Sequence, residues 1–423
     1  MLDIKFIREN PEIVRQAIAD KHVDLDLNRL LEVDKKLLQL KQQTDEYLTR
    51  QNKLSSTIAA ETDKEAVKRQ AKEWADLIAR NNEIKRPLDE EFRALMAKTP
   101  TIPMATAPKG KGDADNVVIK TAGQIPAFDF DILDHVDIME ANRWWEPKVA
   151  RVCGTRLVAL KGELMEYEMA LWQFALHFCI KKGFTPLSVP ALTFSEALFG
   201  TGFFPFETEQ IYELPKDNQY LVGTAEPVLN AIHAGEILQG KDLPILYTGF
   251  SPCFRRESGA AGKDTRGLYR VHQFYKVEQY IICKNDGEES AKWHQFLLNN
   301  TEEILAALEL PYQIVECCTG DMGVGKYRMN DVETWRPCLK KYGETHSCST
   351  LLDWQARRTN LRYRDNKTGK VMYAHTLNNT GLATPRIFVA LLENHQQADG
   401  RISIPKAVRP YMGGREFIGK KFR

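Results

Sequence analysis

The sequence has 423 residues, with 58 Lys and Arg against 57 Asp and Glu, so its formal net charge is +1. Hydrophobic residues make up 43% and charged residues 27% of the chain, which excludes wholesale disorder and collagen-like repeats. This length favours two domains over one. The near-zero net charge argues against a histone-like basic protein, although a local basic face could still bind nucleic acid.

The eight cysteines bear on the cellular compartment. None precedes Cys153 and no CxxC pair occurs, so we expect neither a disulfide scaffold nor a local zinc site. The first residues carry acids early and lack the apolar core of a signal peptide. Because no run of about 18 apolar residues indicates a membrane span, we predict a cytoplasmic protein with no membrane partner.

The first hundred residues contain no Gly and no Cys and predict helices. Asn10, Pro11 and Glu12 form a helix-start pattern, followed by a short helix to about Lys21. Two apolar series with steps of mostly three and four then predict two long helices. The first series is Leu30, Val33, Leu37, Leu40, Thr44, Tyr47, Gln51, Leu54 and Ile58. The second is Val67, Ala71, Trp74, Ile78, Asn81, Leu88, Phe92 and Leu95.

A break near Glu61, Thr62 and Asp63 separates the two series. Two helices of about 33 residues would form an antiparallel hairpin about 50 Å long, over about residues 27–98. The break favours this hairpin over a longer dimeric coiled coil. Pro87 should kink or unwind the second helix. Residues 1–105 hold 19 basic and 19 acidic residues, so charge alone does not identify this helical arm as an RNA-binding element.

Residues 106–125 are predicted to be a linker, because Pro, Gly and small polar residues dominate there. Residues 126–423 then mix helical and extended patterns, with strands at 245–247 and 275–283 and a helix over 286–308. We find no βαβ alternation and no GxGxxG or GxxxxGK[ST] loop, which argues against a Rossmann or P-loop site. We therefore predict an α+β fold, in which a helical hairpin precedes an antiparallel β-sheet domain flanked by helices.

Polar groups concentrate in three stretches of the second region, and the first includes Arg255, Arg256 and Glu257. A glycine-bearing segment at 258–268 and an apolar stretch at 269–278 follow, which predicts a strand, a mobile loop and a second strand. On a strand, Arg255 and Glu257 would share a face. A guanidinium and a carboxylate side by side can hold a zwitterionic or phosphate-bearing ligand. A surface ion pair is the competing interpretation.

The second stretch contains Glu344 and Ser347, whose oxygens suit a hard cation such as Mg²⁺. A polar turn would explain the same residues. The nearby pair His346 and Cys348 could suggest thiol–imidazole chemistry, but no third group that would orient the imidazole is evident. We therefore reject a nucleophilic cysteine here.

The third stretch, residues 375–386, ends at Arg386 before a helix-like apolar run. A cation at the positive end of a helix is unfavourable unless an anion lies there, which indicates a phosphate site. An exposed arginine in a first helical turn is the competing interpretation.

Together these stretches resemble the class II aminoacyl-tRNA synthetases, and specifically the seryl-tRNA synthetase family. The resemblance runs along nearly the whole chain and is most specific in residues 224–226, 253–278, 344–358 and 376–396. It implies a six- to seven-stranded antiparallel sheet. It also implies that the helix at 162–183 and the segment after it form motif 1, which builds the homodimer interface in this family.

The resemblance also implies roles for individual residues. The residues expected to bind ATP are Arg255, Arg256, Glu257, Phe274, Glu344, Thr345, His346, Ser347 and Arg386. Those expected to bind L-serine are Thr224, Ala225, Glu226, Arg255, Glu278 and Thr380. Glu344 and Ser347 are expected to hold Mg²⁺, and Arg255, Glu344 and Arg386 are expected to carry the catalysis.

The implied reaction activates L-serine with ATP and then transfers it to the 3′ end of tRNA(Ser), and in this family also to tRNA(Sec). The attacking carboxylate is already charged, so positioning and electrostatic stabilisation suffice without a general base. The helical arm would bind the tRNA by shape, and DNA is not expected as a partner. Gly223, Arg256, the Thr345 and His346 pair, and Thr380 depart from the usual family residues, which bears on fine specificity rather than on reaction type.

Three other functions stay open from the sequence. One is a homologue that charges a different acceptor, although such relatives typically lack the long arm. Another is an inactive regulatory paralogue, although Arg255, Glu344 and Arg386 are all retained. A generic coiled-coil interaction protein would leave residues 200–400 unexplained.

Overall fold

The protein, seen in a computed structural model that describes residues 1–57, 64–258 and 266–421, divides into two compact units, Met1–Pro100 and Thr101–Arg423. The described helices are α1 Ile4–Glu9, α2 Pro11–Asp20, α3 Leu27–Thr57, α4 Lys64–Ala97, α5 His135–Asn142, α6 Ala150–Cys153, α7 Glu163–Lys181, α8 Ser195–Thr201, α9 Phe203–Phe206, α10 Glu226–Ala231, α11 Gly287–Ala307, α12 Trp354–Thr359 and α13 Arg386–Asn394. None of these helices is long and apolar enough to cross a membrane.

The described strands belong to the second unit. They are β1 Val117–Ala122, β2 Thr185–Ser188, β3 Leu192–Thr193, β4 Tyr212–Leu214, β5 Gln219–Leu221, β6 Ile237–Gln239, β7 Ile245–Phe254, β8 Gln273–Cys283, β9 Tyr312–Glu316, β10 Arg328–Arg336, β11 Lys341–Leu352, β12 Arg362–Arg364, β13 Val371–Tyr373, β14 His375–Thr384, β15 Ile402–Ser403 and β16 Phe417–Ile418.

In the first unit, α3 and α4 run antiparallel and form the predicted hairpin within one chain. Each apolar series contains polar residues, and two of these face each other across the hairpin. Asn81 Nδ2 donates to Thr44 Oγ1 over 3.2 Å. Gln51 Nε2 likewise donates to the Ala71 carbonyl oxygen over 3.4 Å. These bonds explain how polar residues are accommodated on the apolar side of each helix. The predicted break at 61–63 lies outside the described residues.

Pro87 in α4 and an ion pair at the base of the hairpin are two further features of the first unit. Pro87 lies inside α4, which continues to Ala97, so the helix does not unwind there, and a kink at Pro87 stays a prediction. A proline removes a single N–H from the helix, and one turn later Glu91 of α4 accepts two hydrogen bonds from Arg29 of α3. At the base, the Arg8 guanidinium grips the Asp34 carboxylate with two hydrogen bonds of 2.6 and 2.7 Å, which tie α1 to α3.

The second unit is built on an eight-stranded sheet with the order β1-β9-β10-β11-β14-β8-β7-β2. All its neighbouring strands are antiparallel except β2 and β7, which are parallel. The expected six- to seven-stranded antiparallel sheet is therefore corrected to eight strands with one parallel pair at an edge. The extra strand is β1, whose residues Val117 to Ala122 pair with β9.

The segment 106–125 differs from the predicted linker for the same reason. Its Pro and Gly residues suggested a linker, but the run from Val117 is β-branched and suits a strand. The first residues of this segment are also hydrogen-bonded to a distant part of the second unit, since Thr319 N–H donates to the Pro108 carbonyl oxygen over 2.9 Å. The division between the two compact units falls at Pro100, before this segment.

The main apolar core lies on one face of the eight-stranded sheet. Helices α7, α11 and α13 contribute Leu171, Leu297 and Leu391, all fully buried. Along β8, Val277 and Ile281 point into this core, while the alternate residues point to the opposite face. Strands β11, β14, β8 and β7 are consecutive in the sheet, and they carry the three polar stretches. The sheet order therefore brings these stretches together on the face away from the core.

Candidate active site

A cleft of about 500 Å³, which includes space open to solvent, lies on this second face of the sheet. Its floor comes from β8, β11 and β14, and one end is closed by the start of α13. The residues that line it are Arg255, Glu257, Tyr269, Val271, Phe274, Lys276, Glu344, Thr345, Thr380, Ala383, Thr384, Pro385 and Arg386. The cleft therefore unites residues from all three polar stretches.

Arg255 lies just beyond the end of β7, at the wall of the cleft. Its guanidinium carbon is 5.4 Å from the centre of the Phe274 ring, within reach of a cation–π interaction. Its Nε donates to the Gly223 carbonyl oxygen over 3.4 Å. An added Cβ on Gly223 would lie 3.4 Å from the Phe254 oxygen and 3.5 Å from Arg255, which is ordinary contact. The structure therefore shows no steric need for glycine at this position.

Glu257 does not share a strand face with Arg255, contrary to the sequence prediction. Strand β7 ends at Phe254, and Glu257 has a left-handed backbone with φ of +51°. Its carboxylate instead pairs with Arg270 at 3.1 Å, and it still lines the cleft. The predicted strand–loop–strand form is otherwise present, and residues 259–265 of the predicted mobile loop lie outside the described part of the chain.

Two residues predicted to bind nucleotide point elsewhere. The Arg256 guanidinium carbon lies 5.7 Å from the Tyr212 ring centre and does not line the cleft. His346 is buried, and this burial lowers the pKa of its imidazole to about 4. A β-bulge explains the difference at β11, because the register shifts between Val332 and Glu333 so that Thr345 is the extra residue. Glu344 and Thr345 therefore both line the cleft, whereas His346 does not.

Glu344 and Arg386 form an ion pair of 3.0 Å at the α13 end of the cleft. Burial would raise the pKa of the Glu344 carboxyl, but the charges of Arg386 and Arg255 outweigh it and hold that pKa below its ordinary value. Arg386 is the first residue of α13, as the sequence predicted, and its Nε donates to the Tyr269 carbonyl oxygen over 3.2 Å. This end of the cleft is positive and suits an anionic ligand.

Oxygen atoms suited to a divalent cation lie beside this ion pair. Ser347 faces Asp331 across the β10–β11 ladder. Ser347 Oγ and Asp331 Oδ1 are buried, and neither completes a well-formed hydrogen bond with the described residues. Burial and the nearby Glu344 charge raise the pKa of Asp331 to about 7, although the Ser347 hydroxyl partly offsets this rise. Carboxylate and hydroxyl oxygens are the ligands that Mg²⁺ takes, so these residues fit the predicted cation.

A buried acidic group borders the cleft at Lys276 and Thr380, and we call it the acidic end of the cleft. Thr224 Oγ1 donates to Glu278 Oε2 over 3.1 Å, and Lys276 forms an ion pair with the same carboxylate. Thr380 lies directly opposite Glu278 in the β14–β8 ladder. A second bulge, at Gly381, follows immediately. Both bulges therefore lie where the sheet turns side chains into the cleft.

Glu226 at the start of α10 is held by two amides. Gln355 Nε2 and Asn378 Nδ2 donate to its Oε1 over 2.7 and 2.6 Å. Burial, and then the charge of Glu278, raise the pKa of Glu226, while Gln355 and nearby lysines lower it. Ala225 is fully buried, packs in a smaller apolar core and does not line the cleft. Ala225 therefore supports the position of its neighbours and does not contact the cleft itself.

Several residues that line the cleft or contact the groups around it were not identified from the sequence. They are Tyr269, Arg270, Lys276, Asp331, Arg336, Gln355 and Asn378. Lys276 could have been found, because it is two residues from Glu278 on a strand and so shares its face. Gln355 and Asn378 gave no local signal, since they reach Glu226 from distant parts of the chain. Only the tertiary structure, in which α12 packs beside β14, brings them together.

The comparisons with known proteins agree with this geometry. Residues 206–395 match the tRNA synthetase class II core domain (G, H, P, S and T), so the fold and the cleft are those of a class II aminoacyl-tRNA synthetase. Residues 1–103 match the seryl-tRNA synthetase N-terminal domain. A serine–tRNA ligase from Deinococcus radiodurans is 49% identical over 426 residues, covering 100% of both chains. The chain therefore belongs to the seryl-tRNA synthetase family, and the family prediction is confirmed.

Solved structures show the same relationship. The seryl-tRNA synthetase from Pyrococcus horikoshii, crystallised with ATP, superposes with a TM-score of 0.93 at 35% identity and covers 99% of both chains. The cytoplasmic serine–tRNA ligase from Naegleria fowleri, in complex with AMP, gives a TM-score of 0.85 at 28% identity, covering 100% of this chain and 99% of that one. These matches confirm the predicted fold class.

Proposed function

We propose that this protein activates L-serine with ATP to seryl-adenylate and pyrophosphate, and then transfers the serine to the 3′ end of tRNA(Ser). The observation that carries the proposal is the distribution of charge, with Arg255 and Arg386 lining the cleft and Glu226 and Glu278 in the buried acidic group beside it. A phosphate chain needs the arginines and an amino group needs the carboxylates. The ATP and AMP held by the two solved relatives support ATP as the second substrate.

The activation step needs positioning rather than a base. The serine carboxylate attacks the α-phosphorus of ATP, the bond to the β-phosphate oxygen breaks, and pyrophosphate leaves. Because the nucleophile is already an anion, the cleft has to hold two negative groups together and stabilise the charge on the phosphorus oxygens. Arg255 would meet the α-phosphate and the carboxylate, and Phe274 would stack on adenine. Arg386 would meet the γ-phosphate.

Mg²⁺ fits the residues at the Arg386 end of the cleft. Glu344 and Ser347 would hold it, and bound there it neutralises phosphate charge. The chain's own contribution is to keep Glu344 ionised, which Arg386 and Arg255 already do by lowering its pKa. The carboxylate is therefore available as an anion at any pH near neutrality.

Serine would be recognised by the buried acidic end of the cleft. Glu226 would accept the α-ammonium group, since its orientation is fixed by Gln355 and Asn378. Glu278 and Thr380 would meet the side-chain hydroxyl. A buried site that hydrogen-bonds a hydroxyl rejects an analogue without it, because the analogue leaves the site's polar groups unpaired. This mechanism favours serine over alanine.

Two parts of the chain, the hairpin and motif 1, would bind the macromolecular partners. We assign tRNA binding to α3 and α4, whose length suits recognition of the tRNA's shape, and tRNA(Sec) is included as a second acceptor. We assign homodimerisation to α7 and β2, where Met169 and Ile180 are 46% and 43% exposed on α7. All eight cysteines are free, which supports a reducing, cytoplasmic location.

The test is ATP–pyrophosphate exchange with each of the twenty amino acids, followed by charging of total tRNA. We expect exchange with serine alone and esterification of tRNA(Ser). Arg255→Ala should abolish exchange, whereas Arg256→Ala should reduce it by less than roughly tenfold, because its side chain does not line the cleft. Exchange retained by Arg255→Ala would overturn the assignment of the site. Exchange with another amino acid would overturn the assigned substrate.

A further inference from the structure

Tyr269 has no part in the reaction described above, yet it contacts three charged elements of the cleft. The guanidinium carbons of Arg336 and Arg386 lie 4.4 and 4.8 Å from its ring centre. Its backbone oxygen accepts from Arg386 Nε over 3.2 Å, and its hydroxyl donates to the Glu344 backbone oxygen over 3.3 Å. Tyr269 therefore joins the segment before β8 to β11 and to the start of α13.

Arg336, the other arginine that contacts Tyr269, is a buried cation at the end of β10, with 6% of its surface exposed. Burial of a guanidinium is costly unless other groups compensate, and the face of an aromatic ring is one such group. The packing around it is close. A Cβ added to Gly343 would lie 3.0 Å from both Arg336 Cδ and Tyr269 Oη, so this glycine leaves room for the contact.

We propose that Tyr269, supported by Arg336, is a positioning residue that fixes the orientation of Arg386. The inference rests on the proposed function, in which Arg386 meets the γ-phosphate of ATP. A long arginine side chain has several rotamers, and catalysis depends on holding it within a narrow range of geometry. The ring of Tyr269 restrains the Arg386 guanidinium plane, and its carbonyl oxygen restrains Nε. Its hydroxyl fixes the Glu344 backbone, whose side chain pairs with the same arginine.

The test compares Tyr269→Leu and Tyr269→Phe with a matched control, Tyr373→Leu. Tyr373 carries a similar arginine contact, with the Arg357 guanidinium carbon 4.6 Å from its ring centre, but it does not line the cleft. The assay is serine-dependent ATP–pyrophosphate exchange, with KM measured separately for ATP, pyrophosphate and serine.

We expect Tyr269→Leu to lower kcat/KM for ATP by about tenfold and to raise KM for pyrophosphate, with KM for serine changed less than about twofold. Tyr269→Phe keeps the ring and the backbone oxygen, so it should retain most activity. Tyr373→Leu should behave like the wild type. Equal losses for ATP and serine, or a Tyr269→Leu enzyme indistinguishable from Tyr373→Leu, would overturn the inference.

A second variant covers the case in which Tyr269→Leu fails to fold. Gly343→Ala keeps every charged group and places its Cβ against Arg336 and the Tyr269 hydroxyl, the side chains nearest to this position. It should raise KM for ATP and pyrophosphate without changing KM for serine, and an unchanged KM for all three would also contradict the inference. Absence of exchange in the wild type would instead refute the proposed function, and the positioning role with it.

Discussion

Charged side chains are arranged differently in the two units of the molecule, exposed in one and partly buried in the other. In the hairpin, charges form exposed pairs along the helix surface, such as Lys36 with Glu32. In and beside the cleft, burial and neighbouring charges shift the pKa of Glu344, Asp331 and Glu226. Exposed pairs contribute little to stability, whereas buried charges cost free energy unless they are paired, and removal of one partner is strongly destabilising. A net charge of +1 therefore hides a neutral arm and a strongly polarised cleft.

The largest expected effect tests whether the two units have separate tasks. Removing residues 45–80 and joining α3 to α4 through a short glycine–serine turn keeps the base of the hairpin, including Thr44 and Asn81, which face each other. Pyrophosphate exchange should stay within about twofold of wild type, because the cleft lies in the second unit. Charging of tRNA(Ser) should fall by roughly a thousandfold, since we assign shape-dependent tRNA contacts to the arm.

The control for this deletion is thermal unfolding, which should still show a cooperative transition for the second unit. Equal loss of exchange and charging would contradict the division of tasks. Unchanged charging would remove the arm from tRNA recognition.

A smaller effect tests the acidic end of the cleft. Thr380→Ala should lower the preference for serine over alanine by roughly thirtyfold, because one buried partner of the serine hydroxyl is lost. The measurement is exchange with each amino acid. Thr350→Ala serves as the control, since Thr350 is also buried in the sheet but bonds to His294. A preference unchanged by Thr380→Ala would remove this residue from the pocket.

The sequence predicted the regular elements of the arm well, because helix periodicity is a local property. The positions of Arg255, Glu344 and Arg386 in one cleft came from a resemblance, and the structure brings these residues together. The prediction for Glu257 was wrong, and the reason is also local. Glu257 was expected on a strand face, but its left-handed backbone ends the strand first.

The remaining differences arose from information that no short pattern contains. The bulge at Thr345 changes which residues of β11 face the cleft, so His346 is buried while Glu344 and Thr345 line the cleft. The extra strand β1 was not predicted, because prolines and glycines before and after its β-branched residues indicated a linker. The amides that hold Glu226 come from α12 and β14, and only tertiary structure brings them there.

The next prediction tests whether buried charge in the second unit affects stability. Glu168 on α7 is 7% exposed, and burial raises the pKa of its carboxyl to about 7, with partial compensation by the Thr384 hydroxyl. Its ordinary value is 4.5, so the folded protein binds more protons than the unfolded chain between about pH 4.5 and pH 7. The free energy of unfolding should therefore fall as pH rises through this window.

Glu168→Gln removes this titration. At pH 8 its free energy of unfolding should exceed that of the wild type by about 1–2 kcal/mol, and near pH 4.5 the two should agree to within about 0.5 kcal/mol. Urea unfolding at a series of pH values measures the difference. Glu303→Gln is the control, because Glu303 is 52% exposed and pairs with Lys182 at the surface. Parallel curves for wild type and Glu168→Gln would contradict the predicted proton uptake.

The smallest effect separates two ion pairs within the arm itself. Asp34 is 6% exposed and accepts two hydrogen bonds from Arg8, so Asp34→Asn should destabilise the base of the arm by about 1–2 kcal/mol. Glu91, although also bidentate with Arg29, is exposed enough for water to replace the pair, so Glu91→Gln should leave stability unchanged. Hydrogen exchange of the α1 and α3 amides reports local opening and can distinguish the two. Faster exchange in Glu91→Gln than in Asp34→Asn would show that geometry, and not burial, decides the strength of an ion pair in the arm.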